Sequence, residues 1–82
     1  MSASEQRLRD LVTEVTGRDA SGLGLDDDLV ERLALDSLRA LQVLAMVEKR
    51  FGVRIPDSRL SAMRTLSALL SAIDGDDGEV KP

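Results

Sequence analysis

The sequence predicts an all-α fold, a small bundle of three main helices plus one short helix. Apolar residues recur in three segments at the i, i+3, i+4, i+7 spacing that places them on one side of a helix. No segment shows the alternation of a half-buried strand, and 82 residues make one small domain. We therefore expect a helical domain over residues 1–74 and, because residues 75–82 are polar and acidic, a disordered tail there.

The first helix is predicted to cover about Ser4 to Thr16. Ser2 and Glu5 match a capping box, and Gly17 stands where a helix C-cap glycine is expected. The apolar face of this helix consists of Leu8, Leu11, Val12 and Val15.

The connection over residues 18–36 is too apolar for a free loop. We expect it to pack on the bundle, with a short helical turn near Leu29 to Leu33. Its apolar residues are Leu23, Leu25, Leu29, Val30, Leu33 and Leu35. The run Asp26 to Asp28 lacks the rest of a calcium-loop pattern, so we interpret it as a solvated acidic turn and predict no metal site.

A second main helix is predicted over about Ser37 to Phe51, with Asp36 as N-cap and Gly52 at its end. It is apolar on two opposite sides. The core side carries Ala40, Val43, Leu44, Val47 and Phe51; the other carries Leu38, Leu41 and Ala45, beside Gln42 and Lys49. A helix packed between two layers of a bundle would need both sides to be apolar, but so short a chain has little material for a second layer. We therefore interpret the second side as an exposed docking surface.

Residues 53–56 are predicted to be extended, since the residue before a proline avoids helical angles. A short helix around Asp57 to Ala62 should direct Leu60 and Met63 inward. Thr65 then caps the last main helix, whose inward residues are Leu66, Leu69, Leu70 and Ile73.

The composition excludes several functions. The chain has no cysteine and no histidine, so it can form neither a disulfide nor a nucleophile–histidine catalytic unit. Its longest apolar run, Val43 to Val47, is far too short to span a membrane, and the N-terminus lacks the hydrophobic segment of a secretory signal. We expect a free-standing, non-catalytic, cytoplasmic protein that does not insert into membranes.

The net charge of −4 is unevenly spread. Residues 37–64 hold six basic and two acidic side chains, whereas residues 74–82 hold one basic and four acidic ones. The chain is acidic overall and Phe51 is its only aromatic residue, so we expect no nucleic-acid binding.

Ser37 places a hydroxyl on the first turn of the helix over 37–51. Asp-Ser at a helix start is common as capping chemistry alone, but the free N–H groups and positive dipole end there also favour a phosphate group. The Asp36-Ser37-Leu38 motif is followed by a second motif over 51–57. With both motifs, the chain resembles acyl carrier proteins and related carrier domains from its first helix to Ile73. The residues in the order and spacing of that family are Leu33-Ala34-Leu35-Asp36-Ser37-Leu38, Glu48, Phe51-Gly52-Val53, Ile55-Pro56-Asp57 and Thr65.

The resemblance implies an acyl-carrier-protein-like fold and a covalent 4′-phosphopantetheine on Ser37, flanked by Asp36 and Leu38. A phosphopantetheinyl transferase using coenzyme A and magnesium would attach this arm. The arm's thiol would carry acyl groups as thioesters to acyl-loading and acyl-processing enzymes. In the family the helix after the serine is the recognition helix, which makes the partner-docking residues Leu38, Arg39, Leu41, Gln42 and Ala45.

Two positions depart from the family pattern. Ala34 replaces a glycine, which is tolerable if its backbone angles are ordinary. Arg39 and Gln42 stand where fatty-acid carriers show acidic residues that basic patches on their partners recognise. We therefore expect a carrier that serves a specialised fatty-acid, lipid or polyketide pathway.

The apolar interior allows two interpretations. It is an ordinary small helical core, or it opens to shelter an acyl chain, in a pocket lined by Leu29, Val47, Ile55, Leu60, Met63 and Leu69. Two alternative functions also stay open: an aminoacyl or peptidyl carrier of secondary metabolism, and an unmodified helical adaptor that binds partners through the helix over 37–51. We expect a monomer in each case.

Overall fold

The computed structural model describes residues 3–74, which form four α-helices and one 3₁₀ helix. In chain order these are α1 (Ala3–Thr16), α2 (Leu29–Arg32), α3 (Ser37–Phe51), the 3₁₀ helix (Asp57–Ala62) and α4 (Leu66–Asp74). Within the described range no residue is in a β-strand. The predicted all-α bundle with three main helices is confirmed, while the tail predicted over 75–82 lies outside the described residues.

The predicted helix ends are present. Gly17 has φ 72° and donates its N–H to the Thr13 carbonyl at 2.8 Å, which ends α1. Asp36 caps α3, because its Oδ1 accepts the Arg39 N–H at 2.8 Å. Gly52 ends α3 in the left-handed region with φ 66°, where glycine is favoured. The Ser2 side of the predicted capping box is outside the described residues.

The core lies where α1 packs against α3 and α4. Val43, Leu44 and Val47 on the inner side of α3 are buried, and Ala40 and Phe51 are half-buried, as predicted. The largest fully buried side chains are Leu8, Val12, Val47, Leu66 and Leu69. Their burial fixes the orientation of α3 and so decides which of its two apolar sides meets water.

The connection over 18–36 packs on the bundle, and α2 is the predicted short helical turn. Leu23, Leu29 and Leu33 are buried. Leu25 is an exception, with 40% of its surface exposed. The backbone is tied down at this residue, since the Leu25 carbonyl accepts the Ser67 N–H at 3.0 Å. The side chain is left facing outward, so Leu25 is not among the apolar residues by which this connection packs on the bundle.

Arg9 on α1 holds the first part of this connection. Its guanidinium is almost buried and donates from Nη1 to the carbonyls of Ala20 at 3.0 Å and Leu23 at 2.7 Å. Nε and Nη2 bind the Glu5 carboxylate at 3.2 and 3.0 Å. A buried charge is tolerated here because it is paired and hydrogen-bonded.

The link over 53–56 belongs to no helix, and Pro56 has extended backbone angles of φ −63° and ψ 150°. The Ile55 side chain is buried, and its N–H donates to Glu48 Oε2 at 2.7 Å, which fastens the link to the end of α3. Thr65 caps α4 by accepting the Ala68 N–H on Oγ1 at 3.0 Å. Across residues 3–74, no helix has both the length and the apolar character needed to cross a membrane.

Candidate attachment site and docking face

Ser37 is the first residue of α3, and its side chain is exposed. The preceding Asp36 has φ −91° and ψ 176°, so the chain enters the helix from an extended conformation. The Asp36 carboxylate turns back onto the Arg39 N–H, which satisfies one of the N–H groups that a helix start leaves without a carbonyl partner. The Ser37 hydroxyl therefore stands in solvent at the positive end of a 15-residue helix.

The turn that delivers the chain to this helix is strained. Ala34 has φ 53°, in the left-handed region. It lies just after α2, where the Leu35 N–H bonds the Val30 carbonyl at 3.0 Å and the Ala34 N–H approaches the Glu31 carbonyl at 3.4 Å. This pattern is a Schellman motif, which places a left-handed residue at this position and favours glycine there. The condition under which alanine is tolerable here, ordinary backbone angles, is therefore not met.

A groove of about 590 Å³ opens beside Ser37, between the start of α3 and the 3₁₀ helix. Leu35, Leu44, Leu60 and Met63 give it an apolar lining. Ser37, Asp36, Ser61 and Arg64 add polar groups. The groove has room for a slender chain that begins at the Ser37 oxygen.

The six residues predicted to line an acyl pocket are not all at this groove. Leu60 and Met63 line it, and Ile55 borders a second groove described below. The remaining three, Leu29, Val47 and Leu69, are packed in the core with at most 3% of their surface exposed.

The outer side of α3 is exposed, as its sequence predicted. Leu38 and Leu41 expose 66% and 54% of their surface, unusually much for leucine, and Gln42 and Ala45 are also exposed. Together with Arg39 these residues form one stripe, which we call the docking face. A contiguous exposed apolar patch on a small domain is typical of an interaction site.

Arg39 differs from the rest of the docking face in having an internal partner. Its Nη1 donates to the Val15 carbonyl at 2.8 Å, close to the end of α1. The guanidinium therefore neutralises the negative end of that helix and remains at the exposed surface. The sequence alone did not indicate this contact, because the two residues are 24 positions apart.

A second groove of about 670 Å³ continues from the docking face towards the end of α3. It lies between Ala45 and the link over 53–56, and Lys49 and Arg54 border it with Glu48 and Asp57. Since the Glu48 carboxylate accepts the Ile55 N–H, it is turned towards the backbone. Lys49 and Arg54 are matched in number by Glu48 and Asp57, so this groove carries charges of both signs.

The acidic run Asp26 to Asp28 makes contacts within the fold. Asp27 Oδ2 accepts the Gly24 N–H at 2.9 Å and pairs with Arg32 at 3.2 Å. Asp28 caps α2 through the N–H groups of Val30 and Glu31. Among residues 3–74, no cluster of acidic side chains is arranged to hold a metal ion.

Asp28 also forms an ion pair with Arg64, which sequence reasoning did not predict. Nε and Nη2 of Arg64 approach Asp28 Oδ2 at 2.9 and 2.8 Å. Partial burial opposes ionisation of Asp28, but hydrogen bonds from Arg64 and from the two backbone N–H groups outweigh it, so the pKa of this carboxyl lies below its usual value.

These features fit a phosphate-linked arm on Ser37. The hydroxyl is accessible, the helix N-terminus favours a phosphate, and the apolar groove suits the alkyl and amide chain that follows. The chain has no histidine, the side chain that most often serves as the base for a hydroxyl nucleophile.

Comparison with known proteins supports the same interpretation. Residues 6–73 match the family model described as the phosphopantetheine attachment site. The chain is 32% identical over 72 residues to an acyl carrier protein of Rhodococcus erythropolis, covering 88% of this chain and 79% of the relative. It is 32% identical over 77 residues to a meromycolate extension acyl carrier protein of Mycolicibacterium aurum, covering 89% and 79%. It is 30% identical over 77 residues to polyketide-8 synthase acyl carrier protein 2 of Streptomyces avermitilis, covering 94% and 88%.

The family match spans nearly all of the described helices, and it agrees with the motifs at Ser37 and at 51–57. Its members carry acyl groups on a cofactor for other enzymes and catalyse nothing themselves. This chain belongs to the acyl carrier protein family: it is a non-catalytic carrier with a 4′-phosphopantetheine cofactor, and it acts with a phosphopantetheinyl transferase and with the enzymes of its pathway.

Proposed function

We propose that the Ser37 hydroxyl is the point at which 4′-phosphopantetheine is attached. The observation that carries this proposal is the exposed Ser37 Oγ at the start of α3, beside a groove that can receive the arm. During attachment a bond forms between Oγ and the phosphorus of coenzyme A that bears the pantetheine. The bond from that phosphorus to the departing adenosine bisphosphate breaks, and the hydroxyl proton goes to a base of the transferase.

Intact mass spectrometry tests the attachment. The purified protein is incubated with coenzyme A, magnesium and a broad-specificity phosphopantetheinyl transferase, and it should gain the mass of one phosphopantetheine. Ser37→Ala should gain none while keeping its helical circular dichroism, because the Asp36 cap is untouched.

The matched control is Ser61→Ala, which removes another hydroxyl from the same groove. This variant should be modified like the parent protein. A mass gain on Ser37→Ala, or none on the parent with several transferases, contradicts the proposal.

We further propose that the docking face receives the partner enzymes. Its two exposed leucines supply apolar contact area, and a buried apolar centre is the usual source of binding energy at an interface. Leu41→Ala should slow modification by the transferase while leaving stability unchanged, because the Leu41 side chain is more than half exposed. An unaltered modification rate would argue against this face.

The charge of the docking face supports a role in a specialised fatty-acid, lipid or polyketide pathway. Arg39 is the charged residue of the docking face, and residues 37–64 hold six basic against two acidic side chains, whereas fatty-acid carriers present acidic residues on this helix to basic partners. The relatives named for meromycolate extension and for polyketide-8 synthase support the same conclusion.

Charge reversal tests the pathway assignment. Arg39→Glu combined with Gln42→Glu should raise kcat/KM of fatty-acid synthase enzymes for the loaded protein, since complementary charge accelerates encounter. Arg32→Glu changes charge outside the docking face and is the control. Equal kinetics for the double variant and the parent would count against the idea.

The proposed acyl pocket needs a test that distinguishes it from an ordinary core. If a long acyl chain enters between the helices, the methyl resonances of Leu29, Val47 and Leu69 should move together with those of Leu60 and Met63 on loading. Shifts confined to Leu60 and Met63 would place the chain in the surface groove.

We also propose a cytoplasmic monomer whose helical domain ends at residue 74. Light scattering should give the mass of one chain, and cell fractionation should recover the protein with the cytoplasm.

A further inference from the structure

The groove beside Ser37 has a positively charged side chain, Arg64, at its edge. Its lining is otherwise mainly apolar. A guanidinium at the edge of an apolar groove favours an anionic ligand, because it binds carboxylate and phosphate oxygens with directed hydrogen bonds.

Arg64 is held in place by both its side chain and its backbone. Nε and Nη2 donate to one oxygen, Oδ2, of Asp28 at 2.9 and 2.8 Å. The Arg64 carbonyl accepts the Leu29 N–H at 2.8 Å. These contacts position the guanidinium at the groove, and they engage only part of its five N–H donors. About half of the side-chain surface stays exposed, so a further acceptor has access.

Arg39, the basic residue close to Ser37 in sequence, has a different role. Its Nη1 binds the Val15 carbonyl near the end of α1, and it does not line the groove. An arm attached to Ser37 and lying in the groove would therefore meet Arg64 as its cation.

We propose that Arg64 is a positioning residue for the arm, and that its guanidinium binds an anionic oxygen that the arm carries. This inference rests on the proposed attachment at Ser37. The oxygen belongs either to the phosphodiester at the root of the arm or to the free carboxylate of an acyl unit that ends in one. In both cases Arg64 holds the arm along the groove, and Asp28 holds Arg64.

Nuclear magnetic resonance of the protein before and after attachment tests the contact directly. The Arg64 Nε–H resonance should move when an arm that carries the bound oxygen is attached. Where that oxygen belongs to the phosphodiester, the ³¹P resonance of the loaded protein should differ between the parent and Arg64→Gln. Arg64→Lys should then give an intermediate ³¹P shift, because the charge remains but the directed donors are reduced.

Arg32 supplies the matched control. It forms a comparable surface pair with Asp27, and it does not line the groove. Arg32→Gln should leave the ³¹P resonance where it is in the parent. Asp28→Asn retains a residue that can cap α2 and removes the carboxylate that positions the guanidinium, so it should reduce the Arg64 shift.

Two loaded forms distinguish the sources of the anion. The transferase can attach the arm with a malonyl or with a butyryl group, which differ in the terminal carboxylate. If the phosphodiester is the ligand, the arm alone moves the Arg64 Nε–H resonance, and the two acyl groups add the same small change. If the carboxylate is the ligand, this resonance moves only in the malonyl form.

No Arg64 response in any form, with the mass gain verified, would overturn the role of Arg64 and leave the attachment at Ser37 standing. Absence of the mass gain would instead remove the attachment proposal, and the role of Arg64 with it.

Discussion

Helix α3 and the connection that precedes it are held by different forces. The inner side of α3 is fixed by burial, with Val43 and Val47 at 3% and 0% exposure. The connection over 18–36 contributes buried leucines too, but charged side chains determine its path. Arg9 binds its carbonyls near residue 20, and Asp28 pairs with Arg64.

The difference has a structural consequence in each region. The packed apolar inner side of α3 allows only one rotation about the helix axis, so the same outer side always meets water. The connection leads the chain across the bundle to Ser37. Its backbone groups need partners wherever they are buried, and polar side chains from other elements provide them. The contrast predicts distinct responses to substitution.

The largest effect is expected at Arg9. Arg9→Met keeps an apolar stem but removes every donor, so the buried carbonyls of Ala20 and Leu23 lose their partner. We expect a loss of about 3 kcal/mol in the free energy of unfolding, measured by urea denaturation. Arg18→Met changes an exposed arginine and should stay within about 0.5 kcal/mol of the parent. If Arg9→Met is as mild as its control, the connection is held by apolar burial and the contrast fails.

The next largest effect is a difference in stability between substitutions on the two sides of α3. Val47→Ala removes two buried methyl groups and should cost about 2 kcal/mol of unfolding free energy. Leu41→Ala on the docking face should change it by less than about 0.5 kcal/mol. Equal losses from the two substitutions would mean that the outer side of α3 is packed in solution.

The sequence predicted α3 far better than the connection, and the reason is physical. The ends of α3 depend on neighbours in the chain: Asp36 caps it and Gly52 stops it, so the predicted bounds 37–51 agree with those observed. The exposed side of the docking face also followed from helical periodicity, which needs no knowledge of distant residues.

The connection depends on distant residues, which sequence reasoning could not locate. Arg9 meets carbonyls 11 and 14 positions away, and Asp28 meets Arg64 across 36 positions. Nothing in an arginine's local sequence tells which carbonyl it will bind. Ala34 is different, since its left-handed angle could have been inferred from the glycine that the family pattern has at this position.

Ala34 and Gly52 allow the two regions to be compared at one type of position. Both follow a helix with φ near +60°, namely 53° and 66°, but one carries a methyl group. Ala34→Gly should raise the free energy of unfolding by about 0.5–1 kcal/mol, because relief of the left-handed strain exceeds the entropy cost of glycine. Gly52→Ala should lower it by about 1 kcal/mol.

The Gly52 substitution is a clean control for Ala34. A Cβ added there meets no heavy atom of the described residues within 4 Å, so backbone strain is the sole cost. Both changes are measured by urea denaturation, with an unchanged m-value, the slope of unfolding free energy against urea concentration. A loss of stability in Ala34→Gly would show that its methyl group contributes more than its backbone angle costs.

The smallest effect concerns acid stability and tests the polar side of the contrast. The folded-state pKa of Asp28 is depressed. The ionised carboxylate therefore contributes stability above the unfolded pKa of about 3.9, and this contribution is lost as pH falls through the lower folded-state pKa. Asp28→Asn should thus have a lower free energy of unfolding than the parent at pH 6, and this difference should narrow towards pH 3.

An Arg64→Gln background supplies the control. There the difference in unfolding free energy caused by Asp28→Asn should change less between the two pH values, since the hydrogen bond from Arg64 is the leading cause that lowers the pKa. A gap that does not depend on pH would mean that Asp28 serves as a helix cap alone, and that the ion pair does not hold the connection.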